Sequence, residues 1–98
     1  MTDSFSQTPV LFFTYIIYSK DYSRFYIGQT QNLAGRMERH NKGAVKSTQP
    51  YIPWVLVGSI EKNSRGEAMI LEKKLKNLNT EDLKKFIGKY FPDCVFPY

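Results

Sequence analysis

A chain of 98 residues, 42% hydrophobic and 15% aromatic, has the composition of one folded domain with one modest core, which excludes both a second core and a mainly disordered chain. Fourteen Lys and Arg against nine Asp and Glu leave a formal net charge of +5 and an isoelectric point near 9.4, favouring polyanionic partners. The single cysteine, Cys94, excludes an internal disulfide, no Cys/His cluster offers a zinc site, and there is neither a signal-peptide pattern nor an apolar run of about 18 residues, so the expected compartment is a reducing cytoplasm with no membrane partner.

In chain order, residues 1–9 are polar and rich in Ser and Thr, which predicts a loose N-terminal extension ahead of a folded domain over 10–90. Val10 to Tyr18 is aromatic and β-branched almost throughout, as in a strand covered on both faces and central in its sheet. Arg24 to Gly28 returns as the second strand of a hairpin after the polar loop Ser19 to Ser23. Centring that hairpin between Lys20 and Asp21 pairs Tyr15 with Tyr26 and puts both hydroxyls on one face. Gly28 then permits close backbone approach, and Asn32 is placed to cap a helix beginning at Leu33. On that helix Arg36 and His40 lie within about 40° of each other, at the margin of the Leu33 and Met37 stripe.

Asn41 to Tyr51 reads as a loop whose cations and hydroxyls, Lys42, Lys46, Ser47 and Thr48, suit phosphate contacts. Ile52 to Glu61 is the third expected strand, with Pro53 near its start and Trp54 as a packing residue. Ser64 and Glu67 form a capping box opening a second helix, whose stripe is Ala68, Leu71, Leu75 and Leu78. Glu72 flanks that stripe, with Lys76 one turn on as an ion-pair partner. A third helix starts at Thr80 and carries Leu83, Phe86, Ile87 and Tyr90 at helical spacing. Residues 91–98 are expected as an irregular tail that packs its aromatics on the sheet. The fold class is α/β: a three-stranded antiparallel sheet flanked by helices, in the order β-β-α-β-α-α.

Taken singly, each candidate site residue has an ordinary explanation. Arg36 is a surface cation, His40 suits a helix end, the tyrosines are sheet aromatics and Glu72 pairs with Lys76. Taken together, their order is distinctive. Tyr15, then Tyr26-Ile27-Gly28 after ten intervening residues, Thr30, Asn32-Leu33, Arg36, His40-Asn41, Gly43, Pro53-Trp54, Glu67-Ala68 and Glu72 form one ordered set. From Phe13 to about Leu78 the chain resembles the GIY-YIG nuclease domain, especially its small standalone bacterial members related to the N-terminal nuclease of the excinuclease C subunit. Two positions depart from the pattern. The first name motif survives as Phe13-Thr14-Tyr15, and Gln29 stands where the excinuclease relatives place a lysine.

The resemblance implies a DNA endonuclease that hydrolyses phosphodiester bonds with one divalent cation, Mg²⁺ or Mn²⁺, in DNA repair or processing. By the same resemblance Glu72 holds the metal, Arg36 clamps the scissile phosphate, Tyr26 is the candidate general base and Tyr15 aligns water or phosphate. A phenol with the ordinary tyrosine pKa near 10 needs neighbouring cations to act as a base. His40 could be the base itself or could assist the tyrosine. Gln29, Arg39, Lys42 and Lys46 are the expected DNA contacts, and a protein partner or homodimer would supply specificity. A basic nucleic-acid-binding module without catalysis is the alternative on the same fold.

Overall fold

The computed structural model describes residues 10–94. The expected N-terminal extension and the last four residues of the tail lie outside that range. The elements are β1 (Phe12–Ser19), β2 (Arg24–Thr30), α1 (Leu33–Asn41), one 3₁₀ turn (Gln49–Tyr51), β3 (Val55–Lys62), α2 (Arg65–Lys76) and α3 (Thr80–Tyr90). The order is β-β-α-β-α-α, as read from the sequence. All pairings are antiparallel and the sheet order is β2-β1-β3, so the most apolar strand is indeed central.

Because side chains alternate across a strand, β1 feeds both faces of the sheet, so the single core expected from length is divided into two clusters, one on each face. Ile16 and Tyr18 pack with Ile27, Val57, Leu75, Leu83 and Ile87 beneath α2 and α3. Tyr15 and Ile17 pack with Trp54 on the other face, where Leu33 and Met37 of α1 cover them together with Tyr26. Thr14 ties the sheet to α2 by donating to the Ala68 carbonyl at 2.8 Å. The described part of the tail packs as expected, with the Phe91 ring close over Gly58. Among the described residues no helix is long and apolar enough to cross a membrane.

The hairpin register and several strand ends differ from expectation, β1 running Phe12–Ser19 and β2 continuing to Thr30. Tyr15 stands opposite Gly28, and Tyr26 opposite Ile17, so the hairpin register is two residues along from the one that pairs the tyrosines. The turn explains this. Ser19, expected in the loop, extends β1 and pairs with Arg24, and the chain reverses over the four residues between them, with Ser23 in the left-handed region at φ 50° and its N–H donating to the Lys20 carbonyl. An even shift leaves every side chain on its original face, so both tyrosines remain on the α1 side.

The third strand starts at Val55, later than Ile52. The backbone of Trp54 is claimed elsewhere: its N–H donates to Asn41 Oδ1 at 2.7 Å, and its carbonyl accepts from Asn41 Nδ2 at 2.9 Å. Those groups are therefore satisfied by the end of α1 rather than by the sheet.

Candidate active site

The end of β2 and the start of α1 are joined by local hydrogen bonds that aim the helix. Thr30 Oγ1 accepts the Asn32 N–H at 3.1 Å, and Asn32 Oδ1 accepts the Gly35 N–H at 3.0 Å, the N-cap anticipated from the sequence. Arg36 follows one turn in and His40 one turn later. Leu33 and Met37 anchor the helix on the sheet, which turns Arg36 and His40 toward the tyrosines.

The Tyr15 hydroxyl lies 2.8 Å from His40 Nε2, and His40 Nδ1 lies 2.7 Å from Thr48 Oγ1. All three residues are fully buried. Thr48 therefore has no surface to offer a phosphate, contrary to its reading as a loop hydroxyl. Instead its carbonyl accepts the Trp54 indole N–H at 2.9 Å. The Tyr26 ring stands edge-on to His40 at 5.3 Å between centroids and stays half-buried.

Burial, together with the Tyr26 phenol, pushes the Tyr15 hydroxyl up to about 12, while Arg36 beside it pulls the other way as a charge and hydrogen-bond donor. Burial also lowers His40 from its ordinary value, reinforced by Arg36 and Arg39. Near neutral pH the pair is thus a phenol and an uncharged imidazole.

Glu72 reaches the same place from α2, near enough for its charge to raise Tyr15 further. Its carboxylate pairs with Lys76 at 2.8 Å, and the Lys76 ammonium sits 5.8 Å from the centroid of the Tyr26 ring. The ion pair expected from the spacing of Glu72 and Lys76 is thus present, and the same carboxylate lies near Tyr15. Glu72 and Lys76 line an open hollow of about 460 Å³ with Met69, Ile70, Lys73 and Asn77. Arg36 opens onto a second, polar hollow of about 270 Å³, shared with Gln29, Gln31, Asn32 and Arg65.

Tyr15, Tyr26, Arg36, His40 and Glu72 are thus brought together along β2, an edge strand, although they come from two strands and two helices. Gln29 shares the Arg36 hollow. Arg39, Lys42 and Lys46 are exposed, with Lys42 paired to Glu38 at 3.3 Å. Lys76 and Arg65 join the site surroundings without having been assigned there from sequence. For Lys76 the signal was present as its helical spacing from Glu72, whereas Arg65 carries no periodic or motif signal.

Among the described residues no three His, Cys, Asp or Glu gather as ligands for a metal ion. The lone carboxylate near the tyrosines, Glu72, fits a hard cation such as Mg²⁺ or Mn²⁺, which takes one or two carboxylates and completes its shell with water and phosphate, whereas Met69, Ile70, Lys73 and Lys76 of the hollow it lines add no ligand.

Comparison with known families accords with this geometry. The pattern of the GIY-YIG catalytic domain matches residues 11–89, and the chain belongs to that family of nuclease domains. Among solved structures it is similar to the solution NMR structure of the UPF0213 protein BH0048 from Bacillus halodurans, with 27% identity, a TM-score of 0.55, and coverage of 82% of this chain and 85% of that one. No curated protein matches.

Proposed function

We propose that this protein is a divalent-metal-dependent DNA endonuclease. The observation that carries the reading is the convergence of two tyrosines, an arginine, a histidine and a lone carboxylate on one stretch of β2. The +5 net charge is consistent with a DNA substrate.

Arg36 grips the scissile phosphate. A guanidinium is always charged and can make paired hydrogen bonds to two phosphate oxygens, which both neutralises and orients the group. Tyr26 takes the proton of the attacking water. Its partial exposure supports that role over His40, whose ring is enclosed with both nitrogens already engaged. Lys76 supplies positive charge beside the Tyr26 ring, as a phenol oxygen acting as base requires. Tyr15 and His40 act behind these groups as positioning residues, since neither has surface for a substrate. Glu72 would hold Mg²⁺ or Mn²⁺, and the bound ion supplies charge that stabilises the negative oxygen leaving phosphorus.

Gln29 extends the grip of Arg36 along the strand, and Arg39, Lys42 and Lys46 make screened phosphate contacts around it. The reading includes residues 10–90 as the nuclease domain, a reducing cytoplasm as its compartment, a role in DNA repair or processing, and a protein partner or second copy as the source of specificity.

The test is incubation of supercoiled plasmid and of branched or flap oligonucleotides with the protein in Mg²⁺, Mn²⁺ or EDTA, beside Glu72→Ala. Metal-dependent cleavage that disappears in the variant is expected. DNA binding by folded protein without cleavage under any of these conditions would point instead to a noncatalytic module.

A further inference from the structure

Of the hydroxyls in the segment after α1, Thr48 is the one fully enclosed. Its Oγ1 sits between His40 Nδ1 at 2.7 Å and the Val45 carbonyl at 3.3 Å, and its own carbonyl is held by the Trp54 indole. Asn41 clasps the Trp54 backbone in turn, so the Thr48 main chain is tied through Trp54 to the end of α1. On the far side of the imidazole come the Tyr15 hydroxyl and then Arg36.

Counting protons along this row decides its direction. Arg36 can only donate and the Val45 carbonyl can only accept, while the neutral imidazole carries one N–H. One polarity places a proton in every gap. Tyr15 O–H donates to Nε2, Nδ1–H to Thr48 Oγ1, and Thr48 O–H to the Val45 carbonyl, while the Tyr15 oxygen keeps its lone pairs for the nearby Arg36 guanidinium. The opposite tautomer sets Nε2–H against the Tyr15 oxygen. The buried phenol proton then faces the Arg36 donors, and the Thr48 oxygen faces the carbonyl without a proton between them.

We infer that Thr48 is a positioning residue: anchored on Val45, its hydroxyl holds His40 as the Nδ1–H tautomer and so fixes the Tyr15 proton toward His40 and leaves the Tyr15 lone pairs open to Arg36. The effect on Arg36 as phosphate clamp rests on the nuclease reading above, whereas the tautomer does not. Loss of the threonine hydroxyl releases the imidazole, lets the phenol rotate and frees the guanidinium.

His40 is the only histidine in the chain, so the ¹⁵N shifts of its ring report the tautomer without ambiguity. In the wild-type protein at pH 7.5 a protonated Nδ1 and a bare Nε2 are expected. Thr48→Ser keeps that pattern, and Thr48→Val, or Thr48→Ala if valine is not tolerated, moves the proton toward Nε2. Under the nuclease reading, Thr48→Val also lowers kcat on the order of tenfold, and Thr48→Ser restores it. An Nε2–H wild-type ring, or a tautomer indifferent to Thr48→Val and Thr48→Ala, overturns the inference. The expected ¹⁵N pattern in a protein that never cuts DNA sinks the nuclease reading and leaves the Thr48 assignment standing.

Discussion

The ring of Tyr15 runs across the main chain of Gly28, its partner in the neighbouring strand. A Cβ at position 28 would lie 2.6 Å from the Tyr15 hydroxyl oxygen and 2.8 Å from Cζ, inside any tolerable contact. The ring cannot give way, because it is fully buried and its hydroxyl is held by His40. The glycine that closes Tyr26-Ile27-Gly28 is therefore required by a side chain of the other strand, and the two motifs form one packing unit.

Gly28→Ala should accordingly cost about 1–3 kcal/mol of stability by overpacking and also abolish cleavage. Gly58→Ala is the matched control, since a Cβ there meets the Phe91 ring at 2.5 Å, on the opposite face of the sheet. Urea unfolding should register both variants, and a cleavage assay only the first. Equal activity losses in folded protein would mean that Gly28 matters for stability alone.

Glu72→Gln removes the negative charge with little change of shape at a partly exposed position. Cleavage should fall to background, while stability stays within about 0.5 kcal/mol of wild type, as for most surface substitutions. Substantial Mg²⁺-dependent cutting by this variant would remove Glu72 as the metal ligand.

Lys76→Met tests the ion pair that occupies Glu72 in the free protein. A pair whose lysine is open to solvent and whose carboxylate is partly covered is worth about 1 kcal/mol, so freeing the carboxylate should lower the half-saturating Mg²⁺ concentration by about fivefold. Turnover should decline as well, because the cation beside Tyr26 is lost. A higher metal requirement in Lys76→Met would show that the lysine does not compete with the ion.

Arg36→Lys keeps the charge and loses the planar fork. If Arg36 grips the phosphate through paired hydrogen bonds, kcat should drop by about 10²-fold or more, with folding unaffected. Near-normal turnover would reduce the residue to a general cation.

Stability should depend on pH at both ends. His40 titrates lower in the folded chain than its ordinary 6.5. As pH falls below about 6.5 the unfolded chain binds the proton first, and stability is lost from there down through the folded value. Tyr15 is raised from 10.0 to about 12, so its contribution is complete below 10 and disappears as pH climbs from 10 to 12. Urea midpoints of wild type and Tyr15→Phe across that alkaline range provide the check. The gap between them should close toward pH 12, and a constant gap would contradict the raised value.

Much of the architecture was legible because local patterns carry it. The apolar run before Ser19, the caps at Asn32 and Ser64, and the helical spacing of Ala68, Leu71 and Leu75 are properties of neighbouring residues. The capping box was legible only in part. Ser64 Oγ accepts the Glu67 N–H at 3.1 Å, but Glu67 reaches back to the Asn63 N–H at 3.4 Å rather than to that of Ser64.

By itself, then, the sequence determined the element order and which residue types stand at site-forming positions, since alternation and helical period are encoded within each segment. The tertiary structure alone decided the register that sets Tyr15 across Gly28, because a shift by two residues leaves the facing pattern unchanged and only the conformation of the turn distinguishes the alternatives. It also decided that Thr48 is enclosed and that Tyr15 and His40 lie behind Tyr26 rather than at the surface. A hydroxyl in a polar loop and a tyrosine in a strand have no local mark of burial, which comes from how α1, the loop after it and the sheet close on one another.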